Sequence, residues 1–477
     1  MNKHNHLRRN FLGSMLGVAG GGALPFALNL AAMNNAAAQS ASDYKAVVCL
    51  FLAGGNDHFN TVLATDPTSW NEYQRVRATT DAGSIALPGL GANGGVLPLN
   101  LTGGEAGRSF ALHPSMGPLK SLFDAGRAAV VANVGPLIMP TTKAQYKAHS
   151  VNLPPKLFSH NDQSSTWQAS QPEGATSGWG GRMADLLAAT NSNATFTTIS
   201  ASGNAVFLSG HKVRQYQISN GSALPIRNLS GPLFNAPANA NPLNAIITGE
   251  RADLFEKEYT NVVKRSISAQ AVLSGAMAPA GATGVADPSK YLNPKTQAAT
   301  ANPVAQQLQT VARIIAGRGA LGARRQVFYV TMGSFDSHDG QKLNQADLLT
   351  KLAHAVAYFD EVLATLPGGD MRKQVTLFTA SEFGRTFASN GDGTDHGWGS
   401  HHIVVGGAVK GNALYGNFPV TGLNHDLDVG SGALLPTTSV DQYGATIARW
   451  FGLADSQLGD VFPNIGNFNQ RNLGFLA

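Results

Sequence analysis

Cysteine is almost absent from this chain: Cys49 stands alone among 477 residues, so no internal disulfide can form in any redox compartment. Charge is scarce as well. Asp, Glu, Lys and Arg make up 13% of the residues and nowhere form a Lys/Arg-rich run, which removes the electrostatic basis for binding nucleic acid. Past the N-terminal segment no apolar run reaches bilayer-spanning length, and there is neither a dinucleotide fingerprint nor a haem motif. No internal repeat is visible. What is present is a hydrophobic content of 43%, enough at this length for a large buried core that must supply the stability. The formal charge of +5 makes the chain slightly basic, and 54 glycines imply many tight loops.

The N-terminus carries its own signature. Arg8 and Arg9 are adjacent, Phe11 and Leu12 follow, and a weakly apolar Gly/Ala stretch leads to Ala36-Ala37-Ala38-Gln39, a small-residue cleavage site. This order is that of a twin-arginine signal peptide over residues 1–38. Gly20 to Gly22, Pro25 and Asn29 interrupt the apolar stretch, so no stable membrane span is expected. The expectation is a periplasmic or secreted protein that engages the twin-arginine export machinery and folds before it crosses.

Residues 39–477 read as a single α/β domain. Tyr44 to Ala53 (YKAVVCLFLA) is a continuous apolar run of the kind that fills the centre of a parallel sheet, and it ends in Gly54-Gly55-Asn56-Asp57. Met116 to Gly135 reads as helix, glycine turn and strand; Ser177 to Ser200 as helix and strand; Leu243 to Met277 as one or two helices. Asp81 to Gly104 reads as a Gly-rich loop or hairpin. Val304 to Ala316 is an amphipathic helix, Gln326 to Met332 and Val375 to Ala380 are buried strands around a long helix from Asp347 to Leu366, and Ile403 to Gly407 is a short fourth strand. Two stretches, about 219–241 and 278–303, read as loop insertions.

Chemistry gathers where the strands end. After the first strand comes Asp57; after Gln326 to Met332 come Asp336, His338 and Asp339; after Val375 to Ala380 comes Glu382. Asp395-His396-Gly397-Trp398-Gly399-Ser400-His401-His402 precedes the fourth strand. Any one polar residue after a strand is commonly a cap or turn former. Four such groups on strands that share one rim point to a common site, and carboxylates with imidazoles are the ligand types of zinc, manganese and similar ions. Trp167, Trp179 and Trp398 lie near these motifs, either lining a cleft or, as aromatics more often do, packing the core.

The succession GGND, LFSHNDQ (Leu157 to Gln163), GWGGRMAD (Gly178 to Asp185), FDSHDGQ (Phe335 to Gln341), SEFGRT and DHGWGSHH resembles the bacterial domain-of-unknown-function 1501 family, which is itself similar to the alkaline phosphatase and sulfatase superfamily. The resemblance implies an alkaline-phosphatase-like, mostly parallel central sheet with helices on both faces. It implies Asp57, Asp336, His338, Glu382, His396 and His401 as metal ligands, with Asn56 competing with Asp57 and His402 with His401. The superfamily's second histidine falls where this chain has Gly340, and its Asp-His-Gly is replaced by Glu382-Phe383-Gly384, so Phe383 leaves one ligand position empty unless Asp395, His396 or His401 fills it. Adjacent histidines on an extended chain point opposite ways, so one of His401 and His402 at most faces the site. Ser159 matches the role of the hydroxyl nucleophile or else caps a helix, with Thr141 and Thr142 as rivals; His160 beside it is a catalytic candidate that either donates to a leaving group or bonds backbone, and Arg385 either contacts an anion or pairs with a nearby carboxylate. Cys49 lacks the context for a formylglycine.

The function implied is hydrolysis of a phosphate or sulfate ester with a divalent metal (zinc, manganese or calcium), the substrate being an anionic ester. The alternative is a non-catalytic exported protein that binds a surface polymer or partner on a degenerate metal site.

Overall fold

The computed structural model describes residues 44–78, 83–103, 106–219, 221–229, 232–233 and 241–477. The signal reading at residues 1–38, Arg8 and Arg9 included, lies outside them, as does much of the insertion at 219–241.

Lys45–Leu52 (β1) is buried on both faces: Ala46, Val48, Leu50 and Leu52 enter one apolar core while Val47, Cys49 and Phe51 enter another. That double burial is why the run shows no polar alternation. The other strands are Ala128–Gly135 (β2), Thr198–Ser200 (β3), Tyr216–Gln217 (β4), Arg325–Met332 (β5) and Val375–Ala380 (β6). A separate hairpin of Arg385–Ser389 (β7) and Thr394–His396 (β8) follows, then Ser400–Val405 (β9), Leu414–Tyr415 (β10) and Thr438–Ser439 (β11). The nine-stranded sheet runs β10-β2-β9-β6-β1-β5-β3-β4, with β11 also on β2. β1 pairs in parallel with β5 and β6, β5 with β3, and β3 with β4; β9 runs antiparallel to β6 and β2. The sheet is therefore mixed and mostly parallel.

The longer helices are Pro67–Arg77 (α1), Gly117–Asp124 (α2), His160–Ala169 (α3), Trp179–Leu187 (α4), Leu254–Ala276 (α5), Pro303–Ala316 (α6), Gln341–Thr365 (α7) and Val440–Phe451 (α8). Leu119, Leu308, Val311, Leu349 and Val356 from α2, α6 and α7 share one core with Val48 and Leu50; Trp167, Trp179, Met183, Tyr443 and Ile447 from α3, α4 and α8 share the other with Cys49 and Phe51. Each large side chain so buried contributes roughly 1.5–3 kcal/mol. Trp167, Trp179 and Trp398 are fully buried and pack the interior; they do not line a cleft.

Three details depart from the sequence expectation. α7 starts at Gln341, six residues early, because Gly340 at φ +51° turns the chain straight into a run of helix formers. Residues 400–402 belong to β9 and do not precede it, so His401 and His402 are strand residues on opposite faces: His401 packs against Phe418, while His402 stacks on Tyr443 and meets Trp167 edge-on. Of the loop or hairpin expected over 81–104, Leu97–Leu99 pairs antiparallel with a partner beyond those bounds, Phe110–Leu112, which pairs in turn with Val62–Ala64.

Candidate metal centre

The parallel strands β1, β5 and β6 are neighbours, so the loops after them open on the same rim, the position where α/β sheets place ligands. One guanidinium ties these loops together. Arg385, fully buried at the start of β7, donates Nε–H to Gly55 O (3.0 Å), Nη1–H to Thr394 O (3.1 Å) with His338 Nε2 also within reach of Nη1 (3.4 Å), and Nη2–H to Gly54 O (3.0 Å), Phe335 O (3.3 Å) and the Asp336 carboxylate. Its donors are committed to the chain, so of its two expected roles the structure shows the pairing with a nearby carboxylate, Asp336, and makes it a staple of the site. Gly54 is required for this convergence: at φ +118° a Cβ there would lie 2.3 Å from the Asp336 amide nitrogen.

Three imidazoles surround Asp336. His160, the first residue of α3, has Nδ1 3.0 Å from Glu382 Oε1 and Nε2 3.4 Å from Asp336 Oδ2. His338 has Nδ1 3.3 Å from Asp395 Oδ1 and Nε2 3.0 Å from Asp336 Oδ1. His396, on β8, donates Nδ1–H to Phe158 O (2.8 Å) and holds Nε2 3.4 Å from Asp336 Oδ1. In every case Nδ1 faces an oxygen acceptor, and with the proton on that nitrogen, as the Phe158 carbonyl requires of His396, the Nε2 lone pair is directed at Asp336. One ligand atom each from His160, Asp336 and His396 lies within 4.8 Å of the others.

The donor set fits a divalent ion. His338 Nε2 and His396 Nε2 are 3.1 Å apart, a repulsive pairing of lone pairs when both rings are neutral and their Nδ1 atoms are protonated. His160 Nε2 is shielded from solvent and has no hydrogen-bond partner. A cation among these nitrogens resolves both. Imidazole nitrogens suit zinc, the Asp336 carboxylate admits manganese, and calcium prefers a set made of oxygen alone.

Electrostatics favour an ionised Asp336 and a neutral His396, while the carboxylates beside His160 favour its protonated form, which a bound cation would displace. Burial pushes His396 below the ordinary imidazole value, with His160 and Arg385 adding to it against the Phe158 hydrogen bond, so its Nε2 is unprotonated at neutral pH. His160 is raised, first by its hydrogen bond to Glu382 and against burial. Burial lifts Asp336, but its hydrogen bond and charge contact with Arg385, with His160 and His338, outweigh this and hold it below the ordinary carboxylate range.

The wall behind the imidazoles is Phe383. Its ring centre is 4.7 Å from that of His396, in a stacked arrangement, and 4.8 Å from that of His160. Gly55 makes room for it: a Cβ there would sit 2.3 Å from the phenyl ring. The ligand position left open by Phe383 is thus filled by an apolar wedge that sets the spacing of two imidazoles.

Of the other expected site residues, Asp57 and His401 are engaged outside the imidazole group, and the candidate hydroxyls are hydrogen-bonded within the chain. Asp57 is buried in an ion pair with the fully buried Arg77 of α1 (2.5 Å and 3.1 Å), accepts Gln341 Nε2–H at 2.6 Å, and caps the following turn through Phe59 N–H at 3.1 Å. With its oxygens so engaged it anchors the loop, outside the imidazole group. His401 is buried inside β9, where Nδ1 accepts Asn133 N–H at 3.0 Å and the ring meets His58 edge-on at 4.8 Å. That bond puts its proton on Nε2, which removes the lone pair a ligand would need. Ser159 donates its hydroxyl to Asp162 Oδ2 at 2.9 Å. Thr141 donates to Met139 O, and Thr142 forms a capping box with Gln145. The Phe158 carbonyl was invisible to side-chain motifs; its one signal is adjacency to Ser159-His160.

Fold and site define an α/β protein with an imidazole–carboxylate centre at the C-terminal ends of its central strands. The chain belongs to the family of proteins of unknown function designated DUF1501, whose model matches residues 44–462. No curated protein matches it. Among solved structures it is similar to Ps i-CgsB in complex with k-i-k-neocarrahexaose (9% identity, TM-score 0.36, covering 90% of this chain and 78% of that one). Ps i-CgsB alone is similar at 9% identity and TM-score 0.33, over the same shares of the two chains. BT33494S-sulf, from work on the metabolism of multiple glycosaminoglycans by Bacteroides thetaiotaomicron, is similar at 10% identity and TM-score 0.32 (87% of this chain, 74% of that one). These are remote likenesses, and the functional reading rests on the chain's own residues.

Proposed function

We propose that this protein is an exported metal-dependent hydrolase of phosphate or sulfate esters built on an alkaline-phosphatase-like scaffold. The observation that supports it is the convergence of three imidazole Nε2 atoms on Asp336, each ring with an oxygen acceptor facing its far nitrogen. An ion of the zinc or manganese type bound there supplies Lewis acidity to an ester oxygen. Glu382, Asp395 and the Phe158 carbonyl orient the three rings, Arg385 holds the Asp336 carboxylate, and Phe383 excludes water from behind them. Ser159 is the hydroxyl we assign as nucleophile, and Asp162 is within hydrogen-bond reach to take its proton. The signal read at Arg8 and Arg9 supports a periplasmic or secreted location. No helix among the described residues is long and apolar enough to cross a membrane.

The test is elemental analysis of the purified mature chain, followed by assays on chromogenic phosphate and sulfate esters. About one metal per chain, with ester turnover abolished by Asp336→Ala, is the expected result. A chain that stays metal-free in zinc and manganese is inconsistent with the centre. One that loads metal yet turns over neither ester favours the second reading, a binding protein on the same scaffold. That reading draws on Arg385, whose donors are spent on the chain and leave none for a substrate anion.

A further inference from the structure

Arg385 spends its donors on the chain, so an anionic ester at the centre must meet another cation. The loop that delivers Ser159 and His160 carries one beside them. The Lys156 side chain is 69% exposed, and its Nζ rests 3.4 Å from Oδ1 of the buried Asp162. The other oxygen of that carboxylate accepts the Ser159 hydroxyl at 2.9 Å, so ammonium and hydroxyl flank a single carboxylate. Asp162 does not depend on the lysine, because Oδ1 also accepts the Glu173 N–H at 3.4 Å. A loose surface contact of this kind contributes little to stability. Lys143, earlier in the same segment, is by contrast committed: its Nζ donates to His425 O at 2.9 Å.

The backbone keeps Lys156 and Ser159 together. Lys156 O accepts the Ser159 N–H at 3.3 Å and closes a turn in which Lys156 and Phe158 stand at φ +49° and +69°. Left-handed backbone is costly for residues with a Cβ, and two such residues within three positions mark a loop held to a set shape, as ligand clamps are. The same turn leads into α3. The first N–H groups of a helix have no partner within it, and Ser159, at the capping position, gives its hydroxyl to Asp162 and caps none of them. The amide end of this ten-residue helix is thus an electropositive point next to a free ammonium, and both adjoin His160 of the metal centre.

We propose that Lys156 and the amide end of α3 form the subsite for the anionic oxygens of the substrate's phosphate or sulfate group. This rests on the hydrolase reading above and names the side chain that selects for charge. On binding, the flexible lysine stem carries Nζ from Asp162 to the anion, while Asp162 keeps its donors from Ser159 and Glu173.

Calorimetric titration of the zinc-loaded mature chain with inorganic phosphate, and separately with sulfate, tests this alongside zinc content. The wild type binds one of the two anions at about one per chain. Lys156→Met weakens that binding by about tenfold or more, as loss of a charge-assisted hydrogen bond does, and Lys156→Arg stays within about threefold of the wild type. Zinc content and melting temperature are the same in all three chains, so the change in anion affinity separates a ligand contact from a structural one. Where an ester is turned over, Lys156→Met raises KM by a similar factor. A wild type that binds neither anion overturns the subsite, as does an affinity unchanged by Lys156→Met; ester turnover in that same chain leaves the hydrolase reading standing. Lys156-dependent anion binding without turnover upholds the subsite and counts against hydrolysis. A chain that takes up no zinc overturns both.

Discussion

The carbonyl of Phe158 accepts the Nδ1–H of His396 at 2.8 Å, and the residue that offers it is a phenylalanine held at φ +69°. Left-handed backbone is costly for a bulky side chain and persists where the surroundings impose it. Here the constraint is Gln163, a buried residue of α3 whose Oε1 accepts the Phe158 N–H. One loop residue is thus gripped from both sides, by a helix and by a prospective ligand.

Gln163→Leu releases that grip. Loss of a partner that orients a ligating histidine typically costs tenfold to a hundredfold in metal affinity. Zinc affinity measured by chelator competition falls by about tenfold or more in this variant, while a wild-type value would show that the Phe158 carbonyl does not position His396.

Glu382→Gln separates a ligand from its support. The amide still takes the His160 Nδ1–H but no longer carries the charge. Metal stoichiometry by elemental analysis stays near one per chain and affinity drops by about tenfold. His396→Ala, which deletes a nitrogen ligand, lowers the stoichiometry itself.

Asp57 and Arg77 give the converse result. Arg77→Met strands a buried carboxylate and destabilises the fold by about 3–5 kcal/mol in urea denaturation. Asp57→Asn with Arg77→Met removes both charges, recovers much of that loss and leaves metal content at the wild-type level. Loss of metal from a folded double variant would return Asp57 to the ligand set.

Asp441 sets a pH dependence. Burial in α8 pushes its carboxyl up to about 6, against the hydrogen bonds from Asn464 N–H and the Ser170 hydroxyl and the charge of Arg182. Because the folded value lies above the unfolded one of about 3.9, the native state binds the extra proton, and stability falls as pH rises from about 4 to about 6. The penalty at pH 8 is roughly 3 kcal/mol. Asp441→Asn raises the melting temperature at pH 8 and has little effect at pH 4; equal effects at both values would sink the assignment.

The central sheet was readable because β1, β5 and β6 are buried on both faces and so appear as unbroken apolar runs. Asp336, His338, Glu382 and His396 were readable as neighbours because short polar motifs follow parallel strands that share a rim. His401 is misleading because DHGWGSHH reads as lying before its strand, whereas β9 begins at Ser400 and carries the imidazole inward. Asp57 misled for another reason: its partner Arg77 sits in α1 within no motif, and only tertiary packing brings the two together. The Phe158 carbonyl left no trace, since a backbone oxygen has no residue type.

The register of β1 has a kinetic consequence. Lys45 pairs with Arg325 on one side and Ala46 with Val375 on the other, so the strand made earliest in the folded domain waits for both neighbours until most of the chain has been synthesised. Contacts this remote in sequence slow folding, and an apolar run left unpaired in the interval is prone to aggregate. The nascent chain therefore has a long window in which Val47 to Leu52 needs shielding, and removing the last hundred or so residues deprives the centre of the sheet of a flank.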